Sequence, residues 1–176
     1  GGRFDSDDLY SIFCEVADRG VFRNAYGVCG NWFPFKTSGE GLDMERYAEI
    51  STKMPREFVL LQGLGCKWAK CSFCDYHTDV SDNPFEVNCE VLSRVTGKYG
   101  VLDVINSGSG FELDEQTLDL IKKVLDEKKI HTVWFEMHYM YRNRLEEFAK
   151  RFAPARVKFR CGIESFDGVR RRQWNK

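Results

Sequence analysis
The chain has 176 residues, 43% hydrophobic and 30% charged, which fits one folded domain and excludes a disordered segment. Its formal net charge of −1 carries no electrostatic footprint of a protein that lives on phosphate backbones. No apolar run approaches a membrane span, and no charged n-region precedes an apolar h-region, so neither a membrane segment nor a signal peptide is expected.

In chain order, residues 7–19 predict a helix. An acidic cap from Asp5 to Asp8 precedes Leu9, Ile12, Phe13 and Val16 at helical spacing, and Gly20 fits the stop. Residues 21–56 mix Trp32, Phe33 and Phe35 with glycines, which predicts irregular structure with aromatic anchors, suited to a lid. From Phe58 the pattern becomes regular. Phe58 to Leu61 is a short apolar run, as expected of a strand buried on both faces. A cysteine-bearing loop follows, then a helix over 84–96 and a strand from Val101 to Ile105. Residues 114–128 predict an amphipathic helix with Leu118, Ile121, Val124 and Leu125 on one face. Thr132 to Glu136 reads as a strand, the stretch with Tyr141, Leu145, Phe148 and Phe152 as a helix, and Arg156 to Ile163 as a fourth strand. This alternation predicts an α/β fold of βα units around a parallel sheet. It divides the chain into an N-terminal extension, 1–57, and a βα core, 58–176. The basic residues between Arg156 and Lys176 are expected on a solvated helix face.

Seven cysteines is an odd and high number for this length, which argues for a reducing compartment, the cytoplasm, rather than a disulfide scaffold. Cys66, Cys71 and Cys74 form a C-x4-C-x2-C pattern on the loop after the first strand. Three thiolates so spaced can surround a soft metal centre. A zinc site would need a fourth ligand, which His77 could supply. A [4Fe–4S] cluster can use three cysteines and leave one iron open to a ligand. Cys89 and Cys161, in a helix and a strand, are expected in the core.

Parallel βα architectures place chemistry at the carboxyl ends of their strands. Here those ends hold the cysteine loop, Asn106 to Gly110, Glu136 with His138, and Glu164 with Ser165. Glu136 is open between a cofactor contact and an ion pair, and His138 between the pocket and its rim.

A three-cysteine loop after the first strand of a βα series resembles the radical S-adenosylmethionine (SAM) superfamily. Phe73 occupies the aromatic position before the last cysteine, although the first cysteine gap is one residue longer than the usual C-x3-C-x2-C. Asn106-Ser107-Gly108-Ser109 resembles the stretch that holds the methionine amino group, without the commoner Gly-Gly-Glu. Gly162-Ile163-Glu164-Ser165 with Asn175-Lys176 is similar to the G-I-E-S…N-K stretch of many members.

The resemblance implies a partial (βα) radical-SAM-type barrel, with Cys66, Cys71 and Cys74 on a [4Fe–4S] cluster and SAM on its open iron. It implies SAM contacts from Phe73, Asn106, Ser107, Gly108, Ser109, Glu136 and Glu164. It also implies an external electron donor such as flavodoxin or ferredoxin. The cluster's electron would cleave SAM, and the resulting 5′-deoxyadenosyl radical would take hydrogen from the substrate. Trp68 would shield the cluster.

A small, near-neutral, aromatic-rich chain favours a small-molecule substrate, with His77, His138, Trp32 and Phe35 as candidates to meet it. The cluster segment with Asp75-Tyr76-His77 resembles the queuine lyases of 7-deazaguanine salvage, which implies cleavage of a carbon–nitrogen bond. A tRNA-modifying radical SAM enzyme and a zinc-stabilised binding module are the alternatives.

Overall fold
The computed structural model describes residues 45–163 and 165–174. The helix expected at 7–19 and the candidates Trp32, Phe35 and Glu164 lie outside them, as do Asn175 and Lys176. Five strands form one sheet in chain order: β1 (Tyr47–Ile50), β2 (Arg56–Leu61), β3 (Val101–Asn106), β4 (Thr132–Met137) and β5 (Arg156–Cys161). β2 to β5 are parallel, and β1 runs antiparallel to β2. β1 lies within the stretch expected to be irregular. It is held by pairing Tyr47–Ile50 with Arg56–Val59, so its existence depends on its neighbour more than on its own apolar content.

Helices α1 (Pro84–Ser93), α2 (Glu115–Glu127) and α3 (Leu145–Arg151) alternate with the strands, and α4 (Gly168–Gln173) follows β5. None of the described helices is long and apolar enough to cross a membrane. The expected helix at 84–96 stops at Ser93 because the chain beyond it turns to serve a buried carboxylate. Thr96 and Gly97 donate their backbone N–H groups to Glu57, both at 2.7 Å. The expected helix at 141–152 opens as a 3-10 turn, Tyr139–Arg144, before α3 begins. The basic stretch is not one solvated face. Only Arg170, Arg171 and Arg172 lie on α4, whereas Lys158 and Arg160 sit on β5.

Strand alternation divides the sheet into two faces. One face buries Val59, Leu61, Leu102, Val104, Val133 and Phe135 against Val91, Leu92, Leu118, Ile121 and Leu125 of the helices. Phe111, Phe148, Phe152 and Phe159 extend that core beneath the loop after β3. The other face combines buried Leu60, Ile105 and Trp134 with charged groups. Buried Asp103 accepts hydrogen bonds from Arg56 Nε at 2.9 Å and from Arg160 Nη2. Lys158 and Arg160 lie over the Trp134 ring, 4.9 and 5.8 Å from its centroid. Burial, and then the charge of Arg156, hold the Lys158 ammonium below the ordinary lysine range. A cleft of about 340 Å³ lies at the amino ends of these strands, between Lys53, Arg56, Trp134 and Lys158, and contains none of the cysteines.

Candidate functional site
The register pairs Leu61 with Asn106, so the cysteine loop and the loop after β3 leave the sheet side by side. Both ends of the cysteine loop are anchored. At its start, Gln62 N–H donates to Asn88 Oδ1 at 2.7 Å, and Asn88 Nδ2 returns a bond to the Gln62 carbonyl at 2.8 Å. Gly63 N–H donates to Ser107 Oγ at 3.0 Å. At its far end, Asp79 receives Arg46 at 2.6 and 3.1 Å and Gln62 Nε2 at 2.9 Å. Burial opposes ionisation of Asp79, but these hydrogen bonds and the Arg46 charge outweigh it and hold its carboxyl below the usual range.

Cys66, Cys71 and Cys74 are half-buried on this loop. Phe73 is exposed and meets the Trp174 ring edge-on at 5.9 Å. His77 is exposed on the 3-10 turn Tyr76–Thr78. Among the described residues, no three His, Cys, Asp or Glu side chains gather around one point as a single ion requires. The four zinc candidates are therefore not brought together. Three thiols that each serve a different iron of one cluster need not converge on one point, and three soft sulfur donors suit iron–sulfur ligation.

The loop after β3 is a buried wall of the site. Asn106, Ser107 and Ser109 are buried. Asn106 Nδ2 donates to the Ser109 carbonyl at 3.0 Å, while Asn106 Oδ1 is the one buried side-chain polar atom among the described residues without a hydrogen-bond partner. An unpaired buried acceptor is costly unless a ligand donates to it, and the amino group of SAM is such a donor. Gly108 is a second fitted feature. A Cβ there would lie 3.1 Å from Cys66 Cα, so the loop can rest on the cysteine backbone only without a side chain.

At the end of β4, Glu136 is half-buried with its carboxylate 4.0 Å from Arg160, and its carbonyl accepts Ser109 Oγ at 3.4 Å. His138 stacks on Trp68 with centroids 4.9 Å apart, which ties the cysteine loop to β4. The structure thus draws together the cysteine loop, Asn106–Ser109, Glu136 and His138. Phe73 and His77 lie on its exposed side.

Sequence reasoning missed Glu112, which is buried and bonded to Lys67, Ser109 and Tyr141. The signal was present. Ser109-Gly110-Phe111-Glu112 is a capping box, and Ser109 and Glu112 make its reciprocal bonds around the 3-10 turn Gly110–Glu112.

No protein-family model matches the chain, and no curated protein matches it. Among solved structures it is similar to a queuine lyase from Clostridium spiroforme bound to SAM and queuine. The two are 43% identical with a TM-score of 0.72, over 76% of this chain and 59% of that one. The likeness to that lyase holds in sequence as well as in fold. The five-stranded α/β sheet is the partial radical-SAM-type fold that the sequence led us to expect. The chain spans less than two thirds of the lyase's length.

Proposed function
We propose that this chain carries the cofactor-binding part of a radical SAM lyase that acts on queuine and breaks its carbon–nitrogen bond. The observation that carries the reading is the 43% identity to a lyase bound to SAM and queuine. In this reading Cys66, Cys71 and Cys74 hold a [4Fe–4S] cluster. When bound, the cluster supplies the electron that splits SAM into methionine and the 5′-deoxyadenosyl radical, which takes hydrogen from the substrate. The protein's part is to place and enclose the reactants. Asn106 Oδ1 accepts from the SAM amino group, and backbone at Ser107, Gly108 and Ser109 flanks the methionine end. Phe73 meets the adenine, and Glu136 and Glu164 take the ribose hydroxyls. Trp68, backed by His138, covers the cysteine loop. His77 is assigned to the substrate side. A flavodoxin or ferredoxin in the cytoplasm supplies the electron.

The test is anaerobic reconstitution with iron and sulfide, then incubation with SAM, a reductant and queuine. We expect one [4Fe–4S] cluster per chain, 5′-deoxyadenosine, and the two fragments of carbon–nitrogen cleavage by mass spectrometry. A colourless zinc protein, or one that makes no 5′-deoxyadenosine, would overturn the reading. Turnover of intact tRNA and not of free queuine would reject the substrate.

A further inference from the structure
The geometry points to Glu112 as a positioning residue that fixes the cysteine loop against the loop after β3, an inference that rests on the radical SAM reading above. Glu112 is 3% exposed. Its carboxylate gathers donors from three separate segments: Lys67 N–H at 3.1 Å, Ser109 N–H at 2.8 Å and the Tyr141 hydroxyl at 2.8 Å. Its own carbonyl accepts Leu64 N–H at 3.2 Å. Two amides of the cysteine loop therefore end on one residue, on either side of Cys66.

A carboxylate suits this place where an amide does not. It is acceptor-only on both oxygens and can take all three donors, whereas an amide would turn one of its own donors toward them. Burial, then the bond to Glu112 and its charge, hold the Tyr141 phenol well above the ordinary tyrosine range, so the hydroxyl remains a donor. Gly108 completes the arrangement. A Cβ there would stand 2.3 Å from Glu112 Oε2 as well as close to Cys66. The first cysteine is thus held against the loop with the orphaned Asn106 acceptor, and displacement by about 1 Å at such a junction can cost about 100-fold in rate. Glu112 acts through Cys66 and Ser109, since its oxygens are already engaged by the chain.

The experiment compares the full chain with Glu112→Gln and Tyr141→Phe by two readouts. The first is hydrogen exchange of the protein without cluster, followed by mass spectrometry of peptides spanning 64–67 and 107–109. The second is the electron paramagnetic resonance spectrum of the reduced, reconstituted protein with and without SAM. Glu112→Gln should speed exchange in both loops at least about tenfold, leave β3 and β4 unchanged, and weaken the spectral change that SAM induces. Tyr141→Phe, the milder change, should give the same pattern at smaller amplitude and supplies the answer if Glu112→Gln does not fold. Unchanged exchange in both loops, or faster exchange spread equally over β3 and β4, would overturn the inference. If the unaltered chain assembles no cluster, the functional reading fails, while the exchange arm still decides whether Glu112 holds the loops.

Discussion
Glu57 and Glu112 are buried at opposite ends of one sheet, and each is bonded by a tyrosine hydroxyl and backbone amides. Glu57 takes Tyr47 at 2.9 Å, Thr96 through both its N–H and hydroxyl, and Gly97 N–H. Both tyrosines are pushed above the ordinary range by burial, then by the neighbouring carboxylate. By burial and perturbation alone the two sites are indistinguishable. They differ in what their donors belong to. Those of Glu57 are framework, the edge strand and the turn before β3. Those of Glu112 include Lys67, next to a cysteine, and Ser109, next to the glycine that touches it. A perturbed buried group marks a functional site only when its partners lead to chemistry.

The sharpest separation of the two ends comes from removing a thiol. Cys71→Ala should abolish 5′-deoxyadenosine formation while changing unfolding free energy by no more than about 0.5 kcal/mol in urea. Cys161→Ala should keep SAM cleavage. At the framework end, Glu57→Ala leaves several buried donors unpaired, at about 1–3 kcal/mol each. It should lower unfolding free energy by about 3 kcal/mol or more, and a smaller loss in urea titration would erase the contrast.

A finer comparison uses two glycines. A Cβ on Gly97 would meet the Lys128 carbonyl oxygen at 2.5 Å, from a backbone with φ +80°. Gly97→Ala should cost about 1–3 kcal/mol and leave the KM for SAM alone. Gly108→Ala should raise that KM about tenfold, because the clash falls on Glu112 and Cys66.

The smallest effect is a pH dependence of the loop's far anchor. The carboxyl of Asp79 is depressed in the folded protein, so its bonding to Arg46 contributes fully above the ordinary aspartate pKa of about 3.9. That contribution is lost as pH falls through the folded value. Limited proteolysis of residues 66–79 should accelerate on acidification in that window, and Asp79→Asn should flatten the dependence. Equal acid sensitivity in the variant would assign it elsewhere.

Much of the sheet was legible because strands buried on both faces read as continuous apolar runs, as from Phe58 to Leu61. β1 was not. Tyr47-Ala48-Glu49-Ile50 has too little periodic apolar content to signal a strand, and only pairing with β2 makes it one. β5 was legible as a strand, but the setting of its basic residues was not. Arg156, Lys158 and Arg160 alternate as a strand demands, but charge reads as solvent until Asp103 and Trp134 are placed opposite them. The cysteine triplet and Asn106–Ser109 were legible as motifs at strand ends. Glu112 was hidden because a short capping box gives no hint that its carboxylate also reaches Lys67 and Tyr141.

Strand order that follows chain order also sets the lengths of the loop closures that build the sheet. β1 and β2 meet across a tight connection, and β4 meets β5 across only the turn at Tyr139 and α3. β2 meets β3 only after the chain has spanned the whole cysteine loop and α1. That parallel closure is nearly twice as long as the one between β4 and β5, an added entropic cost approaching about 0.6 kcal/mol. Contacts distant in sequence form late. Among the parallel pairs, the crossover bearing Cys66, Cys71 and Cys74 therefore carries the largest closure entropy, set against the burial of the strands it joins.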